Sequence, residues 1–288
     1  MFTSAAIRRT LALALVVAPV SGVQAQVLSS PDPDLTRVAN QPEKKSEPDW
    51  DLRIGGGVAY KTRFDGSKDY VVSPVPFAEI RYKSRLFLSV FDGLGYDLLK
   101  TEHFRAGPVI KYEAGRKESD AGSSNALRGL GNISATAEAG GYIEYQWQNF
   151  AAKAEVRKAI GGHKGVVGNI GIRYNKRFPV PYSERPAVIS IGPRATFVDS
   201  TYNQAFFGVT QLQSPRSGLP TYHARGGLLS YGTGATIVVP VSGRIRATAI
   251  ASYDRYASDA AKSPLIEQRG SKNQAFVGLG LVYRFIHY

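Results

Sequence analysis

An all-β fold, a transmembrane antiparallel β-barrel of about 12 strands (roughly 10–14), is what the sequence predicts, and three observations predict it. Apolar and polar residues alternate with period two in one segment after another from Trp50 onward, the mark of strands with two unlike faces. Aromatic residues repeatedly end the apolar faces, as they do where strands meet lipid headgroups. No segment after the first 25 residues approaches the roughly 20 apolar residues of a spanning helix. A chain of this kind that is integral to a membrane therefore spans it as a barrel, because helices and closed barrels alone satisfy every backbone group in lipid.

Residues 1–25 begin with a basic pair, Arg8 and Arg9, continue through the apolar run 11–17 and end on Val23-Gln24-Ala25. This is the pattern of a cleaved export signal, with the cut between Ala25 and Gln26. Residues 26–49 are rich in Pro, Ser and charge and read as a flexible periplasmic leader. The barrel is expected over residues 50–288, which places an exported chain of this type in the bacterial outer membrane.

The strands follow in order. In 52–60 the apolar face is Leu52, Ile54, Val58 and Tyr60; in 70–82 it includes Val72, Ile80 and Tyr82, against Ser73, Glu79 and Arg81. Residues 86–99 give a weaker strand. Residues 104–113 set Phe104, Ile110 and Tyr112 against Arg105, Lys111 and Glu113, and 133–147 set Ile143, Tyr145 and Trp147 against Glu138, Tyr142 and Glu144. Strands at 150–157, 169–174 and 189–197 follow, then weaker ones at 222–231 and 233–239, then a clear one at 245–254. The last strand, 273–285, places Val277, Leu279, Leu281, Tyr283 and Phe285 on one face and Gly278, Gly280, Val282 and Arg284 on the other.

Phe285 is taken as the functional end of that strand, with Tyr283 and Phe285 as the aromatic assembly signal and 286–288 as a short overhang. Counting from Tyr288 instead would turn Arg284 to lipid, at about 2–4 kcal/mol near the midplane and about 0–1 kcal/mol near the interface. With both termini in the periplasm, these twelve segments put the long connections 115–132 and 199–221 on the periplasmic side. Long loops usually lie outside, so either a strand is miscounted or these connections fill the lumen or form a periplasmic surface.

Composition narrows the chemistry. The 288 residues include no Cys, which removes disulfides, thiolate metal sites and cysteine nucleophiles together. The net charge of +13 is spread rather than clustered, and an exported protein seldom meets nucleic acid, so lipopolysaccharide, peptidoglycan carboxylates or anionic solutes are the better partners. The histidines are His103, His163, His223 and His287; His163 alone sits in a notable setting, a glycine-rich turn at 161–165. Without a nucleophile elbow, an HExxH motif or histidines at metal-ligand spacing, no cofactor, no metal and no enzymatic activity are expected. The inferred lumen face carries eleven basic residues against six acidic ones. Such a mixture forms cross-strand ion pairs, and the excess, with Arg105, Arg173, Arg194, Arg244 and Arg246 as candidates, leaves room for an anion-selective pore.

Several stretches carry a resemblance through their order and spacing: Gly107-Pro108 with Tyr112 and Gly115-Arg116, then LRGLGNI at 127–133, GHKG at 162–165 and Gly192-Pro193-Arg194. DSTYNQAFFGV at 199–209, Ser217-Gly218-Leu219 with Tyr222, Ser263-Pro264 and GSKNQ at 270–274 complete the series. Over about the whole mature barrel the chain resembles the MipA/OmpV family of outer-membrane proteins. The resemblance implies a non-enzymatic scaffold, since the best-described member binds a membrane-bound lytic transglycosylase and a bifunctional penicillin-binding protein. Other members are described as antigens or as taking part in osmotic or adhesion responses. On this reading the partners are outer-membrane lipids, lipopolysaccharide and a murein hydrolase and synthase, with no nucleic acid; the alternative is a narrow arginine-lined channel or receptor for small anions. For residues 199–209, whose aromatics are Tyr202, Phe206 and Phe207, the readings are a rim loop or a short helix serving as a plug or partner element.

Overall fold

Alternating sequence becomes thirteen strand segments in the computed structural model, which describes residues 49–286. The expected signal segment with its cut at Ala25 and Gln26, most of the leader, and His287 and Tyr288 lie outside the described residues. The segments are β1 (Trp50–Thr62), β2 (Tyr70–Tyr82), β3 (Leu86–Ser89), β4 (Gly93–Tyr96), β5 (Leu99–Lys100), β6 (Phe104–Glu113) and β7 (Thr136–Trp147), then β8 (Phe150–Ala159), β9 (Val166–Val180), β10 (Ser183–Val198), β11 (Gly227–Pro240), β12 (Ile245–Tyr256) and β13 (Asn273–Ile286). No helix among the described residues is long and apolar enough to cross a membrane.

Apart from β4 and β5, each segment pairs antiparallel with its sequence neighbours, β1 pairs with β13, and β4 pairs with β6, so the sheet is closed. Segments β4 and β5 both lie against β6 and are two halves of one strand, so thirteen segments occupy twelve positions. The break falls at Asp97 and Leu98, where the chain bulges towards β6. Gly107 accommodates it: a Cβ there would stand 1.7 Å from the Tyr96 carbonyl oxygen.

The expected strands are corrected at two places, and the effects cancel in the total. Residues 86–99 form a hairpin of two short strands rather than one strand, and the two strands expected at 222–231 and 233–239 are the single strand β11. The count stays at twelve, but every connection between these two places changes sides. Connections 63–69, 90–92, 114–135, 160–165, 199–226 and 257–272 all lie at the end opposite Trp50 and Ile286, and the tight turns lie at the other end. Short turns mark the periplasmic end of such barrels, so 115–132 and 199–221 belong to the outer side. Ile133, expected in a strand, instead bridges to Arg116 within an outer connection.

The barrel is inside out relative to a soluble one. Leu279 and Leu281 are 58% and 57% exposed, whereas Glu138 and Glu79 are 2% and 1% exposed. Aromatics form two girdles. Trp50 with Tyr82, Trp147 with Phe150 and Tyr174, and Tyr283 with Phe285 lie near the periplasmic end; Tyr60 stacked on Tyr70, Tyr112, Tyr231 and Tyr253 lie near the outer end. From Trp50 to Tyr60 the strand makes ten steps. At about 3.3 Å each and a tilt of about 40°, that is about 25 Å of height, the thickness of the apolar band. Tyr283 and Phe285 are on the outward face, 4.7 Å apart between ring centroids. Arg284 points inward, its Nε 2.8 Å from Asp51 Oδ1, so the register is the one counted from Phe285.

Candidate functional site: a filled lumen between an outer cap and a periplasmic arginine cluster

The register of the strands builds the lumen. Arg105 stands directly opposite Glu144 and bonds it at 2.8 Å; Arg53 stands opposite Glu79 and bonds it at 3.1 Å. Arg173 approaches the other oxygen of Glu144 at 3.8 Å, and Arg194 grips Asp254 through two nitrogens, with Nε at 2.9 Å. Nearer the outer end, Glu155 gathers Lys111 at 2.9 Å, Lys153 at 3.6 Å and Arg157, while Glu138 accepts from Arg157 at 2.9 Å. A lattice of this kind fills the interior with fixed charge. Removing one partner strands the other in a low-dielectric site.

His163 completes the lattice and joins it to the cap. Its Nδ1 accepts from the Gly165 amide at 3.1 Å, so Nε2 carries the proton that it donates to Glu138 at 2.9 Å. The ring also lies edge-on to Tyr202, 4.8 Å between centroids, and 5.7 Å from Phe206. With both nitrogens committed and the ring covered, this histidine has a holding role. Gly165 lets the cap sit this close, since a Cβ there would come within 2.5 Å of the Tyr202 nitrogen.

The cap is made by five of the six outer connections. The helix Ser200–Phe207 starts at Asp199, whose carboxylate accepts from the Tyr202 amide at 2.8 Å, a side-chain N-cap. Its Tyr202, Phe206 and Phe207 are buried with Ala260, Ala261 and Ile266 of 257–272, with Ala224, and with strand-end residues Val167, Val198, Leu229 and Tyr256. A second cluster joins Phe64, Ala121, Ala126, Leu127, Leu130, Val209, Leu219 and Leu265. Connections rooted around most of the circumference thus share two apolar cores over the outer mouth. Polar ties reinforce them: Arg116 donates to the Phe206 carbonyl, Arg225 pairs with Asp259 at 3.0 Å, and Ser263 donates to the Phe207 carbonyl at 2.6 Å. Residues 199–209 therefore form both a helix and a packed rim element.

Burial pushes the Asp65 carboxyl up to about 7, with Arg116 and Lys61 opposing the shift. Burial also brings Arg116 down to about 10, against the pull of Asp65 and Asp120. The Tyr202 phenol is raised well above its ordinary range by burial and nearby acids. Towards the periplasmic end, Tyr142 donates to the buried Asp97, whose amide bonds the Arg85 carbonyl in the turn 83–85.

At the periplasmic end the balance of charge is different. Arg53, Arg244, Arg246 and Arg284 line a small pocket with Thr248, Val238 and Val282. Arg246 is 8% exposed. Arg244 belongs to the turn 241–244, is exposed at the rim and donates to the Tyr283 hydroxyl at 3.2 Å. Asp51 and Glu79 serve this region as acids, through Arg53, Arg81 and Arg284. The alternation places Arg105, Arg173, Arg194, Arg244 and Arg246 on one face, although Arg244 lies in the rim turn rather than in the lumen wall; it passes over Asp51, which shares the parity of Arg53 and was readable on that ground. Asp97 gave no such signal, because it sits in the bulge where alternation fails.

A second periplasmic feature comes from strand length. Segments β9 and β10 have 15 and 16 residues, and β9 loses its partner β8 beyond Tyr174 while β10 loses β11 before Val188. The hairpin at 175–187 therefore stands beyond the rim as a two-stranded ribbon. Pro179, Pro181 and Pro186 blunt its edges, and Tyr182 at its tip is 66% exposed.

A family model described as MltA-interacting protein MipA matches residues 54–285. A stretch of 90 residues, 31% of this chain, is 36% identical to the outer membrane protein Omp26La of Vibrio anguillarum and likewise to OmpV of Vibrio cholerae serotype O1, and spans 33% of each relative. Among solved structures, OprB of Pseudomonas putida is similar at 9% identity over 83% of this chain and 94% of its own, with a TM-score of 0.42. The NanC porin is similar at 8% identity over 81% and 98%, with a TM-score of 0.39.

Proposed function

Because the chain belongs to the MipA family, whose model covers it from Ile54 to Phe285, we propose that this outer-membrane barrel is a non-enzymatic scaffold for peptidoglycan-remodelling enzymes. The family match carries the reading, since its description names an interaction with a murein enzyme. Geometry supports the periplasmic rim as the docking face, because the outer connections spend their apolar side chains on one another. The rim offers the 175–187 ribbon and the exposed Lys83, Arg85, Lys176, Arg177 and Arg244, a basic surface suited to an acidic protein face or to peptidoglycan carboxylates. Residues 26–49, expected to be flexible, would extend the reach of that surface.

Co-purification from detergent-solubilised outer membranes tests the proposal. A tagged native barrel recovers a lytic transglycosylase or a penicillin-binding protein, and a barrel lacking residues 176–186 recovers less of it. Equal recovery from both would move docking away from the ribbon. No murein enzyme from either would remove the scaffold reading. The channel alternative has weaker support, because the lumen is filled with paired charges and its outer mouth is covered; an electrically silent native barrel in planar bilayers is the expected result.

A further inference from the structure

We propose that the pocket around Arg246 at the periplasmic end of the lumen binds a small oxyanion, carboxylate or phosphate in class. Three adjacent strands bring like charges together here. Arg53 on β1 stands directly opposite Arg284 on β13. On the other side of β13, Ile245 stands opposite Tyr283 and the Arg284 amide donates to the Arg244 carbonyl, so Arg244 flanks Arg284 as well. Like charges directly opposite one another in a sheet repel. Asp51 offsets part of this by reaching both Arg53 and Arg284, and Glu79 reaches Arg53 and Arg81.

Arg246 is left over. It is more than nine-tenths buried, lines the pocket with Arg53, Arg244, Arg284 and Thr248, and makes no hydrogen bond or ion pair among the described residues. The charges bearing on it are Arg53, Arg185 and Arg284, with Asp51 as the acid among them. A buried guanidinium with fixed fork geometry, surrounded by further cations, fits a carboxylate or a phosphate. Thr248 adds a hydroxyl donor on the same wall. Contrast within the lumen sharpens the assignment: Arg105, Arg157 and Arg194 each face a carboxylate of this chain, and Arg246 does not. Its lining residues lie at the end of the barrel opposite the cap, so the ligand is one of the periplasmic side. The proposal does not depend on the scaffold reading and survives its failure.

The test is thermal unfolding of the detergent-solubilised full mature barrel, with inorganic phosphate, a short peptide bearing a free C-terminal carboxylate, or chloride at matched ionic strength. Phosphate or peptide is expected to raise the unfolding temperature saturably where chloride does not; whichever acts at lower concentration identifies the source. Arg246→Gln should weaken the response at least tenfold and, by removing an uncompensated buried charge, should unfold no lower than the native barrel without anion. Thr248→Val, which leaves every charge in place, should weaken it by a smaller factor. A native barrel that responds equally to all three salts, or an Arg246→Gln barrel that still responds like the native one, overturns the assignment.

Discussion

Replacing Phe207 by alanine probes whether the outer cap is a folded unit with its own core. Phe207 is 1% exposed, packs edge-on against Tyr256 with centroids 5.1 Å apart, and lies 6.5 Å from Phe206. Truncating a buried phenylalanine costs about 3–5 kcal/mol when the surroundings cannot collapse. Tyr256 is anchored at the end of β12 and cannot follow the receding helix, so the loss falls on cap closure. At about 1.4 kcal/mol per tenfold change, the open fraction of the cap rises roughly a hundredfold to a few thousandfold. Amide hydrogen exchange reads this directly: protection falls across 199–226 and 257–272 and stays unchanged in the strands, whose ladders close without the cap. Phe207→Leu should recover much of the loss. If protection in 199–226 is unchanged, or falls equally in β1 and β13, the cap is not an independent core and the reasoning fails.

Glu138→Gln leaves Arg157 and His163 without their shared carboxylate; breaking a buried pair costs about 3–5 kcal/mol, read as a lower temperature for loss of the compact barrel band on gels. Asp65 gives a pH dependence. The closed cap holds its proton up to about 7 and the opened chain only to about 4, so closure takes up a proton in that window and weakens as pH rises through it. Protease resistance of 199–226 should therefore be greater at pH 5 than at pH 7.5, after correction for protease activity, and Asp65→Asn should flatten the difference. Sidedness is testable because the chain has no cysteine of its own. On intact cells a membrane-impermeant maleimide should label Leu212→Cys, 75% exposed in the cap, and leave Tyr182→Cys unlabelled.

Fold class was legible because period-two alternation and terminal aromatics are local properties of the chain. The filled lumen was legible for the same reason: parity alone assigns Arg105 and Glu144 to the interior. Sidedness was not, because it depends on strand parity along the chain, and two weak segments misled it. Residues 86–99 lack turn glycine until Gly93, so a hairpin reads there as one strand, whereas Tyr231-Gly232 inside β11 reads as a break. The cap was only half visible. Tyr202, Phe206 and Phe207 announced a packed element, but their partners Tyr256 and Ile266 lie far along the chain and meet them only once the barrel has closed. Arg246 looked like its neighbours in sequence; its lack of a counterion is a property of the three strands together.

Site-resolved crosslinking tests the scaffold reading most directly. A photoreactive residue is placed at Tyr182 or Glu184 in the periplasmic ribbon, or at Leu212 in the cap, and crosslinks are formed in living cells. The account predicts that a peptidoglycan-remodelling enzyme is captured from the ribbon positions and not from Leu212. Capture from Leu212 with none from the ribbon, or no murein enzyme from any position, would contradict it.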